Sequence, residues 1–204
     1  MLRRLGHDLR SPLVNIKMGL QIVQQGEELD LCEDLITEVT RMDQMVEGLL
    51  DYVRSSEPQR SSTRLDSLIH QTIGELTVPA GVQIFTEVTT LRSLEIDPDL
   101  HLKLLRKLLS NALKAVGRNG RIGVYLVESQ GRIVLRVDDS GPGIAPDLLP
   151  ELFEPGAGKW KDGLGLGLAF ARATVQAHGG EIYAGESPTL GGASLVVSYP
   201  VQMQ

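Results

Sequence analysis

A histidine with a carboxylate beside it is the first residue pair that could do chemistry. His7 precedes Asp8 in a segment with a helical pattern, and its apolar stripe lies roughly 160° from His7 on a helical wheel. Ser11 shares the side of His7. Asp8 could take the proton from one ring nitrogen and leave the other as a nucleophile. Pro12 breaks the helical pattern nearby, as functional positions often do, although an ordinary surface histidine remains the alternative.

Two further segments carry groups suited to a nucleotide. Asn111 lies in a strong helical pattern and its carboxamide oxygen is a suitable ligand for Mg²⁺, with Lys114 on nearly the same face. Asp139 follows a predicted strand, and Gly141 and Gly143 allow the backbone to approach a ligand closely. A buried Asp there could accept a hydrogen bond from the amino group of a base. The alternatives are an exposed Asn and Lys on an amphipathic helix, and an acidic turn.

A glycine-rich run opens the last predicted helix. Residues 163–168 read Gly163, Leu164, Gly165, Leu166, Gly167, Leu168. Glycines before a helix suit anion binding, because free N–H groups and the helix dipole point at the ligand. The run is not a dinucleotide-binding fingerprint, which needs a third glycine at 168, and no Walker A loop is present. The preceding segment 156–162 is predicted to be a mobile lid that carries Lys159 and Lys161.

The elements that must position these groups fall into two parts. Apolar residues in 2–23 and 35–53 recur at steps of three and four, which predicts two helices in a hairpin. A single hairpin has too little core, so we expect a homodimeric four-helix bundle; packing onto the rest of the same chain is the alternative. A polar linker at 55–62 follows.

Beyond the linker the pattern predicts mixed α/β structure. We expect helices at 65–76, 97–117 and 164–178, and strands at 82–88, 121–128, 132–138, 181–184 and 193–199. His70, His101 and His178 are predicted to be surface or helix-end residues, and Cys32 an inert helix residue.

The composition of the chain argues against several classes of protein. The chain has 204 residues and a net charge of −6, so a general nucleic-acid binder is disfavoured and no nucleic-acid partner is expected. One cysteine cannot form an internal disulfide. No apolar stretch is long enough to span a bilayer and the N-terminus is not a secretory signal, so no membrane contact is expected in this segment.

Taken in order, the motifs resemble those of the sensor histidine kinases of two-component signalling. Residues 7–13 resemble the H box, 108–114 the N box, 139–143 the G1 box, 152–155 the F box and 163–168 the G2 box. The resemblance covers nearly the whole chain. It implies an α+β protein in which a helical hairpin (1–57) forms a dimeric four-helix bundle. An α/β two-layer sandwich that binds ATP (58–204) follows it.

The resemblance also implies an activity and a set of roles. The chain would be an ATP-dependent protein-histidine kinase that phosphorylates itself on His7 and passes the phosphoryl group to an aspartate of a response regulator. Asp8 would assist as acid or base, and Ser11 would serve a phosphatase activity toward the regulator. Mg²⁺ would bind at Asn111. The ATP-binding residues would be Asn111, Lys114, Asp139, Gly141, Gly143, Phe153, Lys159, Lys161, Gly163, Leu164, Gly165, Leu166, Gly167 and Leu168.

Several positions depart from the family pattern. Lys107 stands where the family often has an earlier Asn, Ala115 where an aromatic residue or His is common, and Gly156 where a second Phe is frequent. The alternative function is therefore a nucleotide-binding signalling scaffold without autokinase activity. A gyrase-like ATPase fits less well, because no carboxylate base lies beside Asn111 to activate water. The expected location is the cytoplasm, either as a separate protein or as the cytoplasmic part of a longer membrane-anchored sensor.

Overall fold

The structure, a computed structural model, describes Val14, Ile16 and residues 30–55, 57–89, 92–157 and 165–201. Val14 and Ile16 are helical. Helix α1 spans Asp30–Arg54, which confirms the second helix of the predicted hairpin. The remainder of the first predicted helix, with His7, Asp8 and Ser11, lies outside the described residues.

The residues after α1 form an α/β domain, as the alternation of periods predicted. Its elements are β1 (Ser61–Thr63), α2 (Leu65–Glu75), β2 (Gly81–Val88), β3 (Leu94–Ile96), α3 (Pro98–Val116), β4 (Asn119–Ser129), β5 (Arg132–Asp139), a 3₁₀ turn (Leu149–Glu151), α4 (Gly167–Ala177), β6 (Glu181–Glu186) and β7 (Ala193–Pro200). The main sheet has five strands in the order β2-β4-β5-β7-β6, in which β2 runs parallel to β4 and the other neighbours are antiparallel.

Alternation along the strands produces a two-layer sandwich. One face of β4 and β5 carries apolar residues that pack beneath helices α2, α3 and α4 in a single core. Helix α3 is the centre of this core, and its leucines 104, 105, 108 and 109 are fully buried. Because apolar residues recur along one side of α3, polar groups stand beside that stripe, where Asn111 is half-buried, and beyond it, where Lys114 is exposed.

Helix α3 begins and ends where the sequence predicts. The Asp97 side chain caps it by accepting a hydrogen bond from the Leu100 N–H at 3.0 Å, and Pro98 occupies the first turn. Gly117 ends the helix with a φ of +64°, a left-handed conformation that glycine adopts readily. Asp97 also accepts a hydrogen bond from the Gln59 N–H at 2.7 Å, which fastens the linker to the start of α3.

Two elements differ from the sequence expectations. Part of the predicted linker forms β1, which pairs antiparallel with β3 in a small second sheet. The helix predicted for 164–178 begins at Gly167, since Gly165 has a φ of +64° that ends regular helix. Strands of three residues, such as β1 and β3, are too short to show an alternation of apolar and polar residues.

His101 is predicted to be a surface or helix-end residue; it lies in the first turn of α3, but the surface alternative is wrong. His101 is fully buried, its Nδ1–H donates to the Asp97 carbonyl at 2.8 Å, and its Nε2 accepts from the Tyr199 hydroxyl at 2.7 Å. Burial lowers the pKa of His101 from 6.5 to about 3. His178 does lie at a helix end, where its Nε2 accepts from the Asp97 N–H at 3.0 Å, and His70 is exposed.

None of the helices that the structure describes combines the length and apolar character needed to cross a bilayer.

Candidate functional site

A cavity of about 350 Å³ lies between α1, α3, the loop after β5 and the start of α4. Its size is within the range of small-molecule sites. Most residues that line it are apolar, with a few polar groups among them. Those from the predicted site are Asn111, Lys114, Asp139, Gly143, Gly165, Leu166, Gly167 and Leu168. The fold thus brings together three motifs that are spread over residues 111–168 of the sequence.

Asp139 forms the buried polar end of this cavity. Its side chain lies at the end of β5, and its Oδ1 accepts hydrogen bonds from the Gly141 N–H at 2.8 Å and the Ala193 N–H at 3.1 Å. Burial, together with the neighbouring Asp138 charge, raises the pKa of the Asp139 carboxyl, while the two N–H donors act in the opposite direction. The donors fix the orientation of the carboxylate, so Oδ2 is left to meet a ligand.

The neighbouring residue, Asp138, makes its contacts on the other face of the sheet. Residues 138 and 139 alternate on a strand, so their side chains point to opposite faces of the sheet. Asp138 Oδ2 accepts a hydrogen bond from the Thr189 hydroxyl at 3.1 Å and lies 3.3 Å from Arg136 Nε. Both aspartates are buried, so the alternative of an exposed acidic turn is wrong. Strand alternation therefore singles out Asp139 as the carboxylate that faces the cavity.

Close backbone approach explains the glycines around Asp139. A Cβ on Gly192 would lie 2.5 Å from Asp139 Oδ1, and a Cβ on Gly141 would lie 2.9 Å from the Ala115 side chain. Ala115, where the family pattern often has a larger residue, is therefore the residue against which the glycine loop packs. Gly143 has a φ of +79°, which disfavours any residue with a side chain.

Glycine is needed for different reasons at the two positions near the start of α4. Gly165 requires its left-handed backbone. Gly167 does not have a positive φ, and a Cβ there would meet only Lys107 Cδ at an ordinary 3.7 Å. The protein itself leaves room for a side chain at 167. The missing side chain therefore keeps the N-terminus of α4 open to a ligand.

Some predicted site residues are not brought to the cavity. Phe153 packs against the hydrophobic core, and its neighbour Leu152 lines the cavity in its place. Gly141 shapes the loop but does not line the cavity. The predicted residues His7, Asp8, Ser11, Lys159, Lys161, Gly163 and Leu164 lie outside the described residues.

One wall of the cavity comes from α1, which sequence reasoning missed. Met45, Glu47, Gly48 and Asp51 line it, and Met45 and Asp51 are buried. An ion pair between Asp51 and Lys103 ties α1 to α3. No local pattern in the sequence signals this wall, because it depends on how the helix packs against the sandwich.

Two family models match the chain. The model of the histidine kinase-, DNA gyrase B- and HSP90-like ATPase matches residues 96–203. The model of the His kinase A (phospho-acceptor) domain matches residues 1–58. The chain belongs to the sensor histidine kinases. Its motifs, its α+β fold and its ATP-binding type of domain are those of this family, which confirms the resemblance.

Individual relatives agree with this assignment. The chain is 33% identical over 186 residues to the sensor histidine kinase ZraS of Salmonella typhimurium. The alignment covers 86% of this chain and 40% of ZraS. The chain thus spans well under half the length of that curated relative. Among solved structures, the Acinetobacter baumannii histidine kinase AdeS shares the fold with a TM-score of 0.75 at 20% identity, covering 97% of this chain and 98% of AdeS.

A second structure shows the same fold in a complex. The histidine kinase ThkA bound to the response regulator protein TrrA has a TM-score of 0.75 at 20% identity, covering 99% of this chain and 61% of that chain.

Proposed function

We propose that this sensor histidine kinase segment transfers the γ-phosphoryl group of ATP to His7 and then to an aspartate of a response regulator. Residues 1–57 would form the dimerisation and phosphotransfer hairpin, and residues 58–204 the catalytic ATP-binding domain. The two family matches support this division, since they cover 1–58 and 96–203.

The cavity is the observation that carries the proposal. It has a buried carboxylate at one end, Asp139, which suits the amino group of adenine. It has an amide and a cation on α3, Asn111 and Lys114, and the open N-terminus of α4 near Gly167. These groups would meet the base at one end of a nucleotide and the phosphates at the other. Lys159, Lys161, Gly163 and Leu164 would belong to a lid over the phosphates.

Magnesium fits the donors that line the cavity. Mg²⁺ is usually held by one or two protein oxygens together with phosphate oxygens, rather than by a cage of side chains. Among the described residues no cluster of three or more His, Cys, Asp or Glu could hold a metal, whereas Asn111 offers one hard oxygen beside the phosphate end. When bound, the ion would neutralise charge on the phosphates.

The transfer step assigns roles to the H box. One ring nitrogen of His7 attacks the γ-phosphorus while the bond to the bridging oxygen breaks and ADP leaves. Asp8 accepts a hydrogen bond from the other ring N–H, which raises the nucleophilicity of the attacking nitrogen, and takes up that proton as the N–P bond forms. The protein contributes mainly position and electrostatics, as in other phosphoryl transfers. Ser11 would orient water when a phosphorylated regulator is hydrolysed.

An exposed apolar stripe on α1 supports a homodimer. Ile36, Val39, Val46 and Leu50 are between 43% and 66% exposed. Their spacing follows the three-and-four pattern of a helical bundle seam. A second copy of the hairpin would cover this stripe and complete four helices. The response regulator as partner rests on the family membership and on the complex in which ThkA is seen.

Labelling with γ-labelled ATP and Mg²⁺ tests the proposal. Wild type should acquire acid-labile, base-stable label, and His7→Gln should acquire none. His70→Gln is the matched control, because His70 is exposed on α2 and does not line the cavity. Label that survives in His7→Gln would place the acceptor elsewhere. ATP binding without label in wild type would favour the scaffold alternative, and transfer to a receiver domain tests the second step.

A further inference from the structure

A lysine stands in the cavity where the family pattern often has an amide. Lys107 lies on α3 one helical turn before Asn111, so the two residues share a face. Both line the cavity. The side chain of Lys107 is partly buried and directed at the start of α4, because its Cδ lies 3.7 Å from the position of a Cβ on Gly167. Only one methylene separates that Cδ from the ammonium group.

Lys107 differs from the neighbouring cations on α3, which form ion pairs with carboxylates of the protein. Lys103 is paired with Asp51, and Arg106 donates to Glu75 at 2.5 Å. Within the described part of the chain, no ion pair joins Lys107 to a carboxylate. A cation placed against the positive end of a helix is unfavourable unless an anion lies between them.

A polyphosphate provides that anion. The Lys107 side chain lies beside the start of α4, where the first N–H groups of the helix are found, and both kinds of donor are suited to a phosphate oxygen. A neutral amide at 107 can meet a phosphate only as a weak donor or through a metal ion. A lysine meets the phosphate directly and carries its own positive charge.

We propose that Lys107 binds the nucleotide phosphates directly and makes nucleotide binding less dependent on Mg²⁺ than an amide at this position would. The inference rests on the proposed ATP-binding function of the cavity. Lys107 would replace part of the charge neutralisation that the metal supplies. It is therefore assigned as a phosphate-binding residue specific to this chain's version of the motif.

Equilibrium binding of ADP and of adenosine, each in EDTA and in Mg²⁺, tests the proposal on the folded chain. Lys107→Asn should lose about tenfold in ADP affinity in EDTA, the size of a lost charge-assisted hydrogen bond. The loss should be smaller in Mg²⁺, and adenosine affinity should not change. Lys107→Arg should stay near wild type. Arg106→Gln is the matched control, since it removes a neighbouring charge on an exposed side chain outside the cavity.

The outcomes separate the inference from the function on which it rests. An equal loss for adenosine and ADP would show that Lys107 merely supports the cavity, and unchanged ADP binding in EDTA would remove it from the phosphate site. An equal ADP loss with and without Mg²⁺ would refute the metal-sparing role. If wild type binds ADP normally in these cases, the proposed function stands; if wild type binds no nucleotide, the proposed function itself fails.

Discussion

Replacing Asp139 with Asn should change which base the cavity accepts while leaving the fold in place. The Asn side chain has nearly the same shape, and its carbonyl oxygen can keep both hydrogen bonds that Asp139 Oδ1 accepts from Gly141 and Ala193. These two bonds then force the amide NH₂ to occupy the place of Oδ2. An acceptor that faces the cavity becomes a donor, and a donor opposes the amino group of adenine.

The magnitude follows from the loss of one hydrogen bond to a charged group. Such a bond contributes about 1.5–3 kcal/mol, which corresponds to a loss of roughly ten- to a hundredfold in affinity for ADP. The diphosphate of purine riboside, which lacks the amino group, should lose little. Inosine diphosphate has a carbonyl oxygen at that position, so its affinity should rise relative to ADP.

Isothermal titration with the three nucleotides measures these affinities directly. Asp138→Asn is the matched control, because it also neutralises a buried carboxylate but on the opposite face of the sheet. It should cost stability without changing the preference among the bases. Equal losses for ADP and purine riboside diphosphate in Asp139→Asn would refute the reasoning, since the carboxylate would then hold the loop rather than read the base.

Three further changes test other parts of the structure. Gly167→Ala should raise the stability of the fold by up to about 1 kcal/mol yet lower ADP affinity about tenfold. Gly74 is a helical glycine with open space around it, so Gly74→Ala should only raise stability. Calorimetry and nucleotide titration measure the two effects. Because the folded pKa of His101 is about 3 against 6.5 unfolded, the unfolded state binds the extra proton below pH 6.5. Denaturant unfolding should therefore show about 2 kcal/mol less stability from this group at pH 5 than above pH 7, and a His101→Gln variant with the same slope would contradict this. Leu50→Glu should shift the chain from dimer to monomer in light scattering, while Val127→Glu, at an exposed sheet position, should not; a persistent dimer would place the seam elsewhere.

The elements with a long, regular pattern were predictable because their period reflects the face they bury. Helix α3 has both a period and end signals, so its start at Pro98 and its end at Val116 follow from the sequence. The small β1–β3 sheet was missed because each strand has only three residues, and those of β1 are all Ser and Thr. The burial of His101 was missed for a different reason, since its partner Tyr199 lies 98 residues away.

The residues of the cavity also fall into those that the sequence indicates and those that it does not. Asn111, Asp139 and the glycines stand in short motifs whose residue types match the chemistry of a nucleotide, so the sequence indicates them. The wall formed by Met45 and Asp51 has no such motif, because it arises from the packing of α1 against the sandwich.

Helix α1 presents a different surface on each of two sides, and this has a thermodynamic consequence. One side carries the exposed apolar stripe and the other, through Met45 and Asp51, closes the cavity. A rotation of this helix would therefore change both surfaces at once. By linkage, any factor by which self-association alters nucleotide affinity must equal the factor by which nucleotide alters self-association. The dimerisation constant measured with and without ADP would therefore report how strongly the helix couples the two surfaces.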